Sequence, residues 1–173
     1  MVSGTFHVIY SIGFAMQELD MKLLNNITWQ KPNPPPNLAC RYFTHSTETV
    51  IWAGKTQKSK HTFNYPLMKE INGGKQMKDV WLMTAPKKGE KEHGKHPTQK
   101  PTELLERLIL AASNEGDLVF IANKSTPKKI NFMAKYGRGL ICLAIDKKKS
   151  DKLGLKLMSN SNGSRFSTAF TVS

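Results

Sequence analysis

Apolar positions recur at helical spacing in two places and at strand spacing or in short runs in several others. Residues 6–19 carry Val8, Ile9, Ile12, Phe14, Ala15, Met16 and Leu19, which predicts a helix over the later part, ending near Asp20. Residues 21–30 alternate less cleanly into Ile27-Thr28-Trp29 and predict a strand, as do residues 47–53. The clearest helix is 102–112, with Leu104, Leu105, Leu108 and Ile109 on one side and Glu103/Arg107 paired four apart on another. Pro101 suits its first turn, where a missing N–H costs nothing. Residues 113–117, Ser-Asn-Glu-Gly-Asp, stop it, and the apolar run 118–122 reads as a buried strand. Further on, Thr126-Pro127 starts a helix that Gly137-Arg138-Gly139 ends. Residues 140–145 and 167–172 then give two more strands. Strands alternating with helices predict an α/β fold.

Two stretches break these patterns. Residues 31–37, Lys-Pro-Asn-Pro-Pro-Pro-Asn, form an extended loop, because four prolines remove donors and fix φ. Residues 54–95 are rich in lysine and glycine around one apolar patch, Val80-Trp81-Leu82-Met83. They read as a surface excursion holding a short strand or anchor.

Composition adds a partner class. The 173 residues are 39% hydrophobic, enough for a core, and carry a formal net charge of +13. A polyanion fits best, nucleic acid before an acidic membrane surface. The excess is spread out, with 15 lysines and arginines against 9 acids up to residue 113 and 11 against 4 beyond it. Two cysteines, Cys40 and Cys142, make no disulfide framework. With no signal-peptide pattern and no membrane-length apolar run, a cytoplasmic protein is expected.

Candidate chemistry lies in four places. Lys31, Asn33 and Arg41, with His45 and Glu48 behind them, either line a cleft for a base or phosphate or stiffen a connection. Lys55, Lys58, Lys60 and the later lysines, with Phe63, Tyr65 and Trp81 among them, either attract phosphates and stack on bases or form a solvated loop whose few aromatics pack on the body. In residues 95–101, Lys-His-Pro-Thr-Gln-Lys-Pro, Thr98, Gln99 and Lys100 precede a helix start, which favours an anion or is ordinary capping. Glu115 and Asp117 could bind a metal or sugar hydroxyl, and are otherwise turn residues. The five histidines lack metal-ligand spacing.

Residues 2–113 resemble the amino DNA methyltransferases that methylate adenine N6 or cytosine N4, in the circularly permuted arrangement of bacterial modification systems. The resemblance rests on Gly4-Thr5-Phe6-His7-Val8, on residues 27–37 (Ile-Thr-Trp-Gln-Lys-Pro-Asn-Pro-Pro-Pro-Asn), on residues 47–53 (Thr-Glu-Thr-Val-Ile-Trp-Ala), and above all on residues 95–101 before the leucine helix. It implies part of a Rossmann-like, S-adenosylmethionine-dependent sheet, with His96, Pro97, Thr98, Gln99 and Lys100 beside the cofactor's methionine part. It also implies double-stranded DNA as partner and target recognition by residues 54–95. The family's Asp/Ser-Pro-Pro-Tyr/Trp motif is absent. Its glycine loop is replaced by Ile121-Ala122-Asn123-Lys124-Ser125, so weak cofactor binding is expected.

Residues 114–173 resemble 3,4-dihydroxy-2-butanone-4-phosphate synthase, through Asn114-Glu115-Gly116-Asp117-Leu118-Val119, Ile130-Asn131-Phe132-Met133, 137–142 and 168–173. That resemblance implies ribulose 5-phosphate, Mg2+ and a role for Glu115 and Asp117, although Ser113 stands where the family has its magnesium-binding Glu. The expectation is an incomplete methyltransferase joined at 113/114 to a truncated α/β segment, with unpaired sheet edges open to self-association. A synthase fragment and a non-catalytic DNA-binding remnant are the alternatives.

Overall fold

The computed structural model describes residues 1–86, 99–123, 139–144 and 166–172. Its elements in chain order are β1 (Val2–Gly4), α1 (Phe6–Glu18), β2 (Lys22–Gln30), β3 (Thr47–Gly54), α2 (Tyr65–Ile71), β4 (Val80–Leu82), α3 (Thr102–Ala112), β5 (Leu118–Asn123), β6 (Gly139–Ala144) and β7 (Phe166–Val172). The seven strands form one sheet in the order β4-β2-β3-β1-β7-β5-β6.

The direction of the strands decides where a site can form. β3 is antiparallel to both β1 and β2, whereas the β2–β4, β1–β7, β5–β7 and β5–β6 pairs are parallel. All strands except β3 therefore end on one side of the sheet. The amino end of β3, Thr47, lies on that same side, opposite Gln30. In open α/β sheets this carboxyl edge is where ligands bind.

Alternation supplies the core. Ile27 and Trp29 of β2 and Val50 and Trp52 of β3 are buried, and Leu104, Leu108, Ile109 and Ala112 of α3 pack with them, joined by Trp81, Met83 and Val119. On α1 a narrow stripe is buried, Ile9 and Met16. Between them Gly13 lets the helix approach β3, for a Cβ there would lie 3.3 Å from Ile51 Cδ1. Asp20, at φ 50°, then turns the chain into β2.

Three features depart from the sequence expectation. Helix α1 begins at Phe6 rather than in the later part of 6–19. β1 was not expected, because three residues carry no periodicity. Helix α2 interrupts the basic excursion, with Pro66 in its first turn and Met68 1% exposed. The expected strand at 80–83 is present as β4, and α3, β5, β6 and β7 match to within a residue. The helix expected after Thr126-Pro127 lies outside the described residues.

Helix α3 ends on α2's threshold. The side chain of Asn64 donates to the carbonyls of Leu110 and Ser113, both at 2.8 Å, and its N–H donates to Ala111 O at 2.9 Å. Carbonyls that a helix end leaves unpaired are thus satisfied from a residue 46 positions upstream.

Candidate cofactor and nucleic-acid site

At the carboxyl edge three charged residues from three segments meet. Lys31 follows β2, Glu48 is the second residue of β3, and Lys100 precedes α3. Lys31 Nζ donates to Glu48 Oε1 at 2.6 Å, and Lys100 Nζ donates to the other oxygen, Oε2. The side chain of Lys100 is 5% exposed, that of Glu48 11% and that of Lys31 22%. Beneath them lies the indole of Trp29, whose centroid is 4.8 Å from Lys31 Nζ and 6.0 Å from Lys100 Nζ. The ring face is negative and attracts both ammonium groups. Trp29 is fixed in turn by its Nε1–H, which donates to Met83 O at 2.8 Å.

Glu48 is on this edge for a reason legible in the alternation. It shares a face with Val50 and Trp52, both buried, so its side chain projects toward the core side of β3. A carboxylate there needs cationic partners. Burial pushes its pKa upward, but the bonds to Lys100 and Lys31 outweigh burial and hold it below the usual 4.5. Sequence reasoning noted Glu48 only as lying behind the proline loop. A lone acid on the apolar face of a strand was the signal that could have found its role.

The proline loop starts at this cluster. Lys31 N–H donates to Ser46 O at 2.7 Å, closing the base of the loop. Inside it Asn37 organises a turn, donating to Tyr42 O at 2.7 Å and accepting from Ala39 N–H at 3.2 Å. His45 stacks on Phe6 with centroids 4.4 Å apart and lies 5.2 Å from Tyr42. Asn33, Arg41 and Phe43 are exposed.

The sequence-derived candidates are not all brought together. Lys31 and Lys100 are brought together on Glu48, Asn33 and Arg41 lie exposed in the loop that follows Lys31, and Gln99 immediately precedes Lys100. His96, Pro97 and Thr98 lie outside the described residues. Lys55, Lys58 and Lys60 are exposed at the far end of β3, where Gly54 pairs with Lys22. Seven residue steps of strand separate the two groups, about 23 Å. Trp81 is not a stacking platform: it is 6% exposed, donates through Nε1 to Lys78 O at 2.6 Å and belongs to the core. Phe63 and Tyr65 are partly exposed, and Phe63 leans on Trp52 at 5.9 Å. Asp117 serves the turn after α3, where its Oδ2 accepts from Asn114 N–H at 2.8 Å, and Gly116 takes φ +81°. Among the described residues no group of three or more His, Cys, Asp or Glu is placed to hold a metal. Among them, too, no helix is long and apolar enough to cross a membrane.

Comparison with known proteins identifies the family and the fold. A family profile described as DNA methylase matches residues 1–120, and one described as 3,4-dihydroxy-2-butanone 4-phosphate synthase matches residues 111–173. The chain is 62% identical over 119 residues to the type II methyltransferase M2.DpnII of Streptococcus pneumoniae, and equally to M2.LlaDCHI of Lactococcus lactis subsp. cremoris. The match covers 68% of this chain and 44% of each relative. The chain thus spans less than half the length of these relatives. Among solved structures, the M1.HpyAVI–SAM complex superposes with a TM-score of 0.63 at 22% identity, covering 87% of this chain and 72% of that one. The PvuII cytosine-N4-specific DNA methyltransferase superposes at 0.61 and 16% identity, covering 80% and 52%. These likenesses establish the fold as the α/β fold of DNA methyltransferases. The DNA methylase profile over residues 1–120 spans more than half of the chain, and the chain belongs to the DNA methylase family.

Proposed function

We propose that this chain is the cofactor- and DNA-facing portion of a bacterial DNA amino-methyltransferase, one that methylates adenine N6 or cytosine N4 with S-adenosylmethionine. The observation that carries the reading is the meeting of Lys31 and Lys100 on Glu48 at the carboxyl edge of the sheet. Two ammonium groups face one carboxylate, so the cluster keeps a net positive charge. That suits the anionic end of a methionine moiety on one side and a phosphate on the other.

In this reading His96, Pro97, Thr98, Gln99 and Lys100 hold the cofactor's methionine part. When bound, the cofactor supplies the methyl group. Lys31, Asn33 and Arg41 contact the DNA backbone beside it, and Lys55, Lys58 and Lys60 reach a second stretch of duplex from the far edge. The loss of a glycine loop after β5 makes cofactor binding weak. The division into a methyltransferase segment, 1–113, and a second segment, 114–173, belongs to the same proposal, as does self-association through the sheet edges.

A second reading, a dihydroxybutanone-phosphate synthase fragment, is favoured by the profile over residues 111–173. It would give Glu115 and Asp117 a sugar-phosphate and Mg2+. Both readings are tested by offering the purified chain duplex DNA with S-adenosylmethionine, and separately ribulose 5-phosphate with Mg2+. Cofactor and duplex binding without formate release is expected. Formate release with no affinity for cofactor or duplex would reverse the assignment.

A further inference from the structure

The charged cluster contains a residue that neither binding role needs directly. Glu48 sits between Lys31, on the proline loop, and Lys100, on the segment leading into α3, and each of its two oxygens accepts a hydrogen bond from one of them. The lysines come from positions 17 before and 52 after it. Among the described residues the remaining ion pair, Glu103 to Arg107, lies within α3.

Glu48 itself is held by the sheet near the amino end of β3, its residue paired with Trp29 across β2–β3. It is therefore a fixed point to which two otherwise separate segments are tied. Trp29 lies beneath both lysines and limits where their ammonium groups can go. The two lysines are not equivalent. Lys100 is almost wholly enclosed, whereas Lys31 keeps about a fifth of its side-chain surface in solvent and can reach outward.

We propose that Glu48 is a positioning residue that holds the DNA-side loop and the cofactor-side segment in register, so that both ligands depend on one carboxylate that touches neither. This rests on the reading of Lys31 as a DNA contact and of residues 96–100 as the cofactor segment.

The sign of one experiment separates positioning from plain electrostatics. Replacing Glu48 by Gln removes a negative charge from a cationic site. If charge alone mattered, an anionic ligand would bind more tightly. If Glu48 positions the lysines, binding weakens although the net charge rises.

The test measures the dissociation constants of S-adenosylmethionine and of a mixed-sequence DNA duplex for the full chain, at one salt concentration. Glu48→Gln should weaken both, each by roughly tenfold, less than the loss when a buried charge at a binding interface itself is removed, because Glu48 acts through the two lysines. Glu48→Asp, which keeps the charge, should recover part of both. Lys31→Met, which leaves the Lys100–Glu48 pair in place, should weaken the duplex and leave the cofactor within twofold or so. Should Glu48→Gln not fold, as circular dichroism would reveal, Glu48→Asp and Lys31→Met carry the test: equal loss of both ligands in Lys31→Met, with none in Glu48→Asp, overturns the proposal. So does unchanged or tighter binding in a folded Glu48→Gln chain. Wild-type chain that binds neither ligand overturns the functional reading, and this inference with it. Wild-type binding that Glu48 substitutions do not weaken overturns the inference alone.

Discussion

Lys100 and Glu48 meet across 52 positions of sequence, and the pair ties the start of α3 to the amino end of β3. Breaking such a pair by removing one partner leaves the other charge buried, which costs about 3 kcal/mol. Glu48→Gln is therefore expected to lower the urea-unfolding free energy by about that amount, and Lys31→Met by much less, because Lys31 is the more exposed partner.

The same pair sets an acid limit. The bonds to Lys100 and Lys31 hold the Glu48 carboxyl below its usual 4.5 against the opposing effect of burial. A carboxyl depressed in the folded state contributes stability that is fully present above its unfolded value and is lost as pH falls through the folded one. Unfolding free energies measured from pH 6 down to pH 3 should drop more steeply below about 4.5 for the wild type than for Glu48→Gln. Parallel curves would contradict the pairing.

Trp29 is expected to be the most sensitive single position on β2. It is 2% exposed, and its Nε1–H satisfies Met83 O. Trp29→Phe keeps most of the packing but loses that bond, costing about 1–3 kcal/mol. Trp29→Ala should cost about 3–5 kcal/mol. Chemical denaturation of the two variants checks the order.

Asn64 offers a prediction that charge decides. Its amide donates to two carbonyls at the end of α3. Asn64→Ala should cost about 1–2 kcal/mol by leaving those carbonyls unbonded. Asn64→Asp should cost more at neutral pH, because an ionised carboxylate cannot donate and meets the negative end of the helix dipole. Equal stabilities of the two variants would show that the amide bonds contribute little.

DNA contact is expected first at the carboxyl edge. Arg41→Ala and Lys31→Ala should each lower the slope of log affinity against log salt by about 1. Lys55, Lys58 and Lys60, some 23 Å away along β3, should act independently of them. Duplex affinity that does not fall with salt would remove the backbone-contact reading altogether.

Much of this was readable from the residues. The alternation of Ile27 and Trp29, and of Val50 and Trp52, marks β2 and β3, and the leucine spacing marks α3. These signals are strong because burial enforces them along several turns or steps. β1 and α2 escaped because three and seven residues are too short for a period to declare itself, and because α2 lies among lysines and glycines that read as loop. For Trp81 the packed alternative holds: it lies in the apolar run 80–83, pairs with Trp29 across β2–β4 and shares a core with Ile27 and Leu108. The site was half legible. Lys31 and Lys100 could be picked from motif resemblance, but their common partner depends on strand register, which a single sequence does not state.

The central claim, that residues 96–100 bind S-adenosylmethionine, is tested most directly by titrating the full chain with the cofactor in a calorimeter, alongside Lys100→Met and a Glu103→Gln control on the exposed face of α3. The expected result is saturable binding, weak at about 0.1–1 mM (roughly 4–5.5 kcal/mol), lost in Lys100→Met and kept in Glu103→Gln. Absence of saturable binding at several times that concentration, or binding that survives Lys100→Met unchanged, would contradict it.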